Sequence, residues 1–236
     1  MTEKSEHSRG PGIRGAAWNA AKSASKGLSR AGEVLGWNWL IYHHGIFLRF
    51  RKYARVNAPK FADAVQAIYP AARSISDVGC GSGEYAAEFQ RRGMRVRACE
   101  YAERGRRWTR RLGVEVLGWD LSKPDRLPVL GPCDVAYSIE VAEHVPESLA
   151  EAFVAFVTSV SGCVVFTAAP PGQGGEGHIN EQPKEYWIEK FERRGFQLRP
   201  DAVDRMVAVL MNADAASYLW RNCMVFERRV PAPDRS

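Results

Sequence analysis

The sequence predicts an α/β fold in which a mainly parallel, seven-stranded sheet carries helices on both faces. Two observations predict this architecture. Short apolar segments rich in β-branched residues alternate along the chain with longer segments whose apolar residues recur at helical spacing. A glycine-rich turn, DVGCGSGE, joins the first of these apolar segments to the helix after it. Strands that are connected through helices run parallel, and a parallel sheet is covered on both faces.

The predicted elements follow one another in a regular order through the chain. A first helix ends before Pro70, which cannot continue it. The predicted strands are 74–78, 96–100, 114–119, 133–139, 163–168, 196–199 and 223–229. The predicted helices are 58–68, 84–92, 102–112, 147–160, 185–195 and 201–219.

The first 55 residues differ from the rest of the chain in charge. They hold ten Lys/Arg and three Asp/Glu, a balance of +7, whereas residues 56–236 hold 23 and 24, a balance of −1. The nearly neutral remainder argues against a broadly basic nucleic-acid-binding surface on the main domain. Three regions are therefore expected: a polar, disordered tail (1–15), a basic, aromatic-rich helical segment (16–55) and the main domain (56–236).

The basic segment is a candidate lid over a substrate. Its candidate pocket-wall residues are Trp37, Trp39, Tyr42, His43 and His44. Two other roles stay open: the aromatic residues can simply pack against the edge of the sheet, and the basic helix also suits peripheral contact with a membrane surface.

Composition narrows the location of the protein. No run of 18 apolar residues is present, and the N-terminus lacks the apolar core of a signal peptide. The five cysteines are odd in number and form no CxxC pair, which is typical of small buried residues in a reducing compartment. We therefore expect a cytoplasmic protein without a DNA partner, and its oligomeric state stays open.

The turn after the first strand has the chemistry of a nucleoside-binding site. Asp77 is followed by three glycines at alternate positions, which let the backbone turn sharply and approach a ligand closely. This GxGxG spacing differs from the GxGxxG of dinucleotide-binding dehydrogenases. Glu100 ends the second strand, where it can accept both ribose hydroxyls, and Asp120 follows the third strand, near the expected adenine amino group. Such acids ring the crevice where open α/β sheets bind ligands.

These residues resemble the motifs of class I S-adenosylmethionine-dependent methyltransferases, which have a Rossmann-like fold. DVGCGSGEY resembles the family's first motif, Glu100 and Asp120 match its ribose-binding and adenine-side acids, and CDVAYSIEVAEHV resembles its fourth-strand motif. The resemblance covers about residues 56–229 and implies S-adenosyl-L-methionine as cofactor, with Asp77 near its methionyl end. The cofactor-binding residues expected from it are Asp77, Gly79, Cys80, Gly81, Gly83, Glu100, Tyr101, Asp120 and Ser138.

A second polar group follows the fourth strand. Glu140, Glu143 and His144 have the i, i+3, i+4 spacing that places side chains on one face of a helical turn. His178 lies in a glycine-rich loop after the fifth strand, PPGQGGEGHINEQP, which ends at the same side of the sheet. These four residues are candidate ligands of Mg²⁺, Mn²⁺ or Zn²⁺, and EVAEHV resembles the ligand segment of ubiquinone-biosynthesis O-methyltransferases and small-RNA 3′-end 2′-O-methyltransferases.

Two interpretations of this group stay open. A bound ion would lower the pKa of a substrate hydroxyl, whereas without an ion His144 or His178 would act as general base. The candidate catalytic residues are His144, His178 and Glu143 in both cases. Asn180 and Gln182 in the same loop are candidates for hydrogen bonds to a polar substrate.

The sequence thus favours O-methylation of a small molecule, assisted by a divalent metal. The alternative is an RNA 2′-O-methyltransferase that uses the same constellation. The basic N-terminal segment favours RNA, and the lack of a recognisable RNA-binding module disfavours it. A cofactor-binding protein without catalytic activity is disfavoured because the cofactor motif is complete. The sequence does not identify the methyl acceptor.

Overall fold

The computed structural model describes residues 44–229 of the chain, with side chains from Phe47 onward. The expected tail and most of the expected lid segment lie outside the described residues. So do the predicted pocket-wall residues Trp37, Trp39, Tyr42 and His43, and the side chain of His44.

The described residues contain one seven-stranded sheet of order β3-β2-β1-β4-β5-β7-β6. Strands β1 to β5 pair in parallel, and β7 runs antiparallel to both β5 and β6. This confirms the predicted mainly parallel sheet. The strands are β1 (Ser74–Val78), β2 (Arg95–Glu100), β3 (Val116–Gly118), β4 (Val135–Ile139), β5 (Cys163–Thr167), β6 (Phe196–Leu198) and β7 (Met224–Arg228).

Helices cover both faces of the sheet, as predicted. The helices are α1 (His44–Ile68), α2 (Glu84–Arg91), α3 (Glu103–Arg111), α4 (Ala150–Val160), α5 (Lys184–Arg193), α6 (Pro200–Asn212) and α7 (Ser217–Arg221). Helices α4 and α5 pack their aromatic residues against one face, and α1, α2 and α6 pack against the other. Each face therefore buries its own apolar core, which holds the sheet between two layers.

The first helix is longer than the sequence indicated. It was expected at 58–68, but α1 begins at His44 and runs without a break through the predicted boundary at residue 55. Pro59 lies inside it, where the ring removes one backbone donor and disfavours a continuous helix. Packing outweighs that cost, because Phe47 on one side of Pro59 and Phe61 on the other are both fully buried.

Two other segments differ from their predictions. The single helix expected at 201–219 is divided into α6 and α7, with Asp214 between them in the left-handed backbone region at φ +51°. The helix expected from residue 147 begins at Ala150, after two short 3-10 turns at Ala142–His144 and Glu147–Leu149. These turns lie at the end of β4, where they determine the direction of the candidate catalytic side chains.

The sequence predicted buried cysteines and no long apolar segment, and the described residues can be compared with both predictions. None of the five cysteines, which all lie in the described part of the chain, forms a disulfide, and Cys80, Cys99 and Cys223 are buried. Among residues 44–229, no helix combines the length and apolarity needed to cross a membrane.

Candidate active site

A cavity of about 830 Å³ opens where the strand order reverses, between β1 and β4. This is the place where open α/β sheets bind ligands, at the carboxyl ends of the strands. Its lining comes from four parts of the chain: the first half of α1, the glycine-rich turn after β1, the ends of β2 and β3, and the segments after β4 and β5. The volume lies within the range of sites that enclose a small ligand.

The glycine-rich turn forms the floor of the cavity, and its three glycines have different roles. Gly79 has φ +86°, and a Cβ there would lie 2.6 Å from Val141. Gly81 has φ +55° and nothing within 4 Å of a Cβ position, so its backbone is open to a ligand. Gly83, also predicted to contact the cofactor, is not among the residues that line the cavity. A Cβ there would lie 2.6 Å from the Thr109 side chain, so Gly83 allows α2 to pack against α3.

Glu100 lies beside this turn at the end of β2. Its Oε2 accepts a hydrogen bond of 2.8 Å from the Gly81 amide, and its Oε1 accepts one of 2.7 Å from the Ala102 amide. Burial raises its pKa to about 7, although both amides oppose the shift. Each carboxylate oxygen has a second lone pair, and Glu100 lines the cavity. The residue can therefore accept two further hydrogen bonds from a ligand.

Asp77 lies at the centre of the floor and is only 3% exposed. Burial raises its pKa to about 8, and the hydrogen bond from Tyr137 opposes that shift. Tyr137 was not singled out by the sequence analysis, because its position in β4 gives no signal except that of a buried strand. Asp77 therefore takes up a proton near neutral pH when no cationic group is next to it.

The other predicted cofactor residues differ in their placement. Asp120 lines the cavity, and its pKa is lowered by hydrogen bonds from Lys123 and Ser122. Cys80 and Tyr101 also line it. Ser138 does not: its side chain is fully buried, and its Oγ donates to the Val78 carbonyl at 2.8 Å. Ser138 therefore links two central strands.

Three of the four predicted metal ligands meet on the opposite side of the cavity. One ligand atom from each of Glu143, His144 and His178 lies within 4.8 Å of the other two. The two imidazole rings meet edge to face, with centroids 4.9 Å apart. The glycine-rich loop therefore folds back over the end of β4, as a shared site requires.

Glu143 is the buried member of this cluster. It is 0% exposed, and among residues 44–229 no donor lies within normal hydrogen-bond geometry of either carboxylate oxygen, although the backbone at Ala169 is near enough to oppose the rise of its pKa. Burial, reinforced by the nearby Glu140, raises the pKa of Glu143 well above its ordinary value. A buried carboxylate without donors is costly, so the site is suited to a bound cation or to a proton.

The backbone of the loop holds this arrangement in place. The amides of Ile179 and Asn180 donate to the Glu143 carbonyl at 2.9 and 3.0 Å. His144 Nδ1 lies 2.9 Å from the Gly177 carbonyl, which can only accept, so Nδ1 carries the ring proton. Burial, followed by the neighbouring His178, lowers the pKa of His144 to about 4. His144 is therefore neutral at pH 7, with its lone pair at Nε2.

Glu140, the fourth predicted ligand, lies beside this cluster rather than in it. Its backbone is left-handed, at φ +51°, so the expected helical face does not form. Both carboxylate oxygens accept amide hydrogens: Oε2 from Gln173 at 2.7 Å and Oε1 from Asn222 at 2.9 Å. Glu140 thus connects the glycine-rich loop to the segment before β7.

Asn180 and Gln182 were expected to hydrogen-bond a substrate, but neither lines the cavity. Gln182 Nε2 instead donates to Asn180 Oδ1 at 2.9 Å, and Asn180 is 4% exposed. The first half of α1 supplies cavity residues in their place. Phe50 and Tyr53 form an aromatic wall, and Arg49 makes an ion pair with Glu176 of the loop.

A family model matches the central part of this chain. A family model described as a methyltransferase domain matches residues 76–160, from β1 to the end of α4. Residues 76–160 are therefore similar to a methyltransferase domain, and the fold around them is one that solved S-adenosylmethionine-dependent methyltransferases share. The matched segment contains the glycine turn, Glu100, Asp120 and the Glu143–His144 pair, so the family's region includes both sides of the cavity. Among curated proteins, none matches this chain in sequence.

Solved structures of methyltransferases share the fold at low sequence identity. The sugar N-methyltransferase KedS8 from Streptoalloteichus sp ATCC 53650 superposes with a TM-score of 0.61 at 15% identity, covering 80% of this chain and 93% of its own. Magnesium protoporphyrin IX methyltransferase (ChlM) from Synechocystis PCC 6803, with SAH bound, gives 0.55 at 14%, covering 88% and 100%. The amino pentose methyltransferase CalS10 from Micromonospora echinaspora, with SAM bound, gives 0.55 at 16%, covering 73% and 90%. At such low identity, these similarities show that the fold is shared and do not identify a substrate.

Proposed function

We propose that this methyltransferase transfers its methyl group to an oxygen atom of a small molecule, with help from a divalent cation. One observation carries the proposal: the carboxylate of Glu143 is fully buried, lies next to two imidazoles at the cavity, and has no well-formed hydrogen bond within the described part of the chain. Without a cation, such a side chain would be stable there only in its protonated form.

The cofactor side of the cavity has a suitable residue for each part of S-adenosylmethionine. Glu100 would accept the ribose hydroxyls and Asp120 the adenine amino group, while the open backbone at Gly81 admits close approach. Asp77 would face the cationic methionyl end, which favours its ionised form. The cofactor supplies an electrophilic methyl group on a positively charged sulfur.

The other side of the cavity would hold the cation through Glu143, His144 and His178. Because Glu140 is engaged elsewhere, this donor set has two nitrogens and one carboxylate. Such a set favours Zn²⁺ or Mn²⁺ over Mg²⁺, which prefers oxygen ligands. The ion would act as a Lewis acid that lowers the pKa of an acceptor hydroxyl.

The chain's own groups orient the acceptor and exclude water. Phe50 and Tyr53 of α1 would stack against an acceptor ring, which supports the expectation that the N-terminal segment closes the substrate site. Arg49 and Glu176 join α1 to the loop at this side of the cavity. If no metal binds, His178 Nε2 would accept the proton of the acceptor hydroxyl as that oxygen takes the methyl group that the cofactor supplies.

The size and lining of the cavity support a small acceptor. Its aromatic side chains suit a ring, and the structural neighbours that act on sugars and on a porphyrin show that the fold accommodates such molecules. Paired hydroxyl and amine analogues of sugars and phenols, incubated with labelled cofactor, would test the choice of oxygen. We expect methylated hydroxyl compounds by mass spectrometry, and methylation of only the amine analogues would refute O-methylation.

A second candidate, RNA 2′-O-methylation, is favoured by one surface that the sequence did not reveal. Helix α3 packs next to α1, with Arg51 over the Trp108 ring at 4.1 Å, and this combines two separate basic segments. The exposed cations on this surface are Lys52, Arg55, Arg104, Arg107, Arg110 and Arg111. Methyl transfer to small RNA, with binding that weakens steeply as salt rises, would establish the alternative.

A further inference from the structure

We propose that Glu181 is a positioning residue that fixes the ring proton of His178 on Nδ1. The lone pair at Nε2 then points into the cluster of Glu143 and His144. The use of that lone pair, for a cation or for a proton, rests on the proposed function. The contact between Glu181 and His178 does not depend on it.

The direct contact determines where the proton lies. His178 Nδ1 and Glu181 Oε1 are 2.7 Å apart, and the two side chains are 12% and 18% exposed. A carboxylate only accepts, so the hydrogen between the two atoms belongs to Nδ1. In the neutral ring Nε2 is then an acceptor or a ligand, and it lies 3.9 Å from Glu143 Oε1.

Glu181 is itself held in a fixed orientation. Its Oε2 accepts from the Gly172 amide at 2.8 Å, and its Oε1 accepts from the Gly174 amide at 2.7 Å. Both glycines have positive φ, +85° and +67°, which aims their amides at one point. The carboxylate therefore has three donors around it and little freedom to turn away from His178.

The same loop also sets the proton on the other histidine. His144 Nδ1 donates to the Gly177 carbonyl, four residues before Glu181. Gly175 leaves the space that the His178 ring occupies, because a Cβ there would overlap that ring. His178 Nε2 therefore faces Glu143, and the Nδ1 partners of both rings come from one short segment. Ligating histidines commonly have such a partner, whose loss typically costs ~10–100-fold in metal affinity or activity.

Four variants of the 236-residue protein distinguish the placement of the His178 proton from the order of the loop. Glu181→Ala removes the acceptor, and Glu181→Gln keeps one oxygen that can accept from Nδ1. Gln173→Ala loosens the loop at a different anchor. Glu189→Ala is the matched control, because Glu189 lies on α5 with its side chain 69% exposed. Thermal melts of each variant check that it folds.

The first measurement is the imidazole ¹⁵N spectrum of the metal-free protein, with the His178 signals assigned from a His178→Asn sample. We expect the Nδ1–H form in the native protein, in Glu181→Gln, in Gln173→Ala and in the control. In Glu181→Ala we expect the Nε2–H form to appear. Retention of the Nδ1–H form in Glu181→Ala, or its loss in Gln173→Ala to the same extent, overturns the proposal.

The second measurement is the binding of Co²⁺ and Zn²⁺ to the same proteins, followed by the Co²⁺ absorption bands. Glu181→Ala should bind ~10–100-fold more weakly, and Glu181→Gln should recover most of the affinity. With cofactor present, Glu181→Ala should lower kcat and leave the KM for S-adenosylmethionine unchanged. If the native protein binds neither ion, the cation of the proposed function is refuted, whereas the ¹⁵N spectra still decide the role of Glu181.

Discussion

The hydroxyl of Tyr137 donates a hydrogen bond of 2.8 Å to Asp77 Oδ2 beneath the floor of the cavity. The two residues are 60 positions apart in the chain and adjacent in the sheet, where β1 and β4 pair in register. Both are buried, so this bond is the partner that offsets part of the cost of placing a carboxyl group there. The effect of this pair on the protein's stability can be measured as a function of pH.

Asp77 should make the ligand-free protein less stable as the pH rises. Its folded pKa of about 8 lies above the ordinary 3.8, so the folded state holds a proton that the unfolded state has lost. The stabilisation is complete below about pH 4 and declines as the pH rises to about 8. Melting temperatures from pH 5 to 9 should fall less steeply in Asp77→Asn than in the native protein.

Tyr137→Phe provides the matched comparison for Asp77. It removes the hydrogen bond that holds the pKa of Asp77 down, so the decline in stability should extend to higher pH. In Asp77→Asn, the melting temperature should still fall slightly with pH, because Glu100 also has a raised pKa, of about 7. Equal slopes in the native protein and in Asp77→Asn would contradict a raised pKa.

Glu100 should control cofactor affinity and its pH dependence. Replacement by Ala removes two charge-assisted hydrogen bonds and should cost ~1.5–3 kcal/mol of binding free energy. Hydroxyl donors favour the ionised carboxylate, so affinity should rise as the pH passes through about 7. Titration calorimetry at pH 6, 7 and 8 measures both effects, with the exposed Asp125→Ala as control. An affinity that does not change in Glu100→Ala, or binding of NAD instead, would exclude this role.

The cation should be needed for turnover but not for cofactor binding. Activity should fall in a chelator and return with Zn²⁺ or Mn²⁺ more readily than with Mg²⁺. Glu143→Ala and His144→Ala should each lower kcat strongly, because each removes a ligand, while the Kd for S-adenosylmethionine stays unchanged. Glu147→Ala, on the exposed turn after the cluster, is the control. Full activity in chelator would leave a histidine as general base.

The aromatic wall of α1 should act on the acceptor. Phe50→Ala and Tyr53→Ala remove ring contacts on one side of the cavity and should raise the acceptor KM severalfold, with cofactor affinity preserved. Val56→Ala, exposed on the same helix but not lining the cavity, is the control. An acceptor KM that is the same in all variants would show that α1 takes no part in substrate binding.

Deleting residues 1–15 should leave the fold and cofactor binding intact, and a large drop in melting temperature would contradict this.

Local signals determined which features the sequence could predict. The bounds of β1 were predicted residue for residue, because a glycine turn follows it directly. Asp77, Glu100 and Asp120 were found because each lies at a strand end that the alternating pattern locates. Glu143, His144 and His178 were grouped because the first two directly follow β4 and the third lies in the loop that follows the neighbouring strand β5.

The missed features depend on contacts between distant segments. Glu140 was misplaced because its left-handed backbone is stabilised by Gln173 and Asn222, which are 33 and 82 residues away. The early start of α1 depends on the burial of Phe47 near α3. Glu181 lies only three residues from His178, but no helical or strand pattern indicates a contact inside an irregular loop. Spacing alone therefore predicted which segments meet and not how their side chains pair.

The attachments of the glycine-rich loop determine where an acceptor enters. The loop is bonded to the end of β4 through Glu140 and Glu143, and to Asn222 before β7, so it forms a fixed wall on that side. The ion pair of Arg49 and Glu176 connects this wall to α1. A bulky product that leaves between the wall and α1 would have to part this ion pair, and because its side chains are only 12% and 19% exposed, salt would weaken the pair little. The enzyme's selectivity for size would then reside in an exit rate rather than in the shape of its floor.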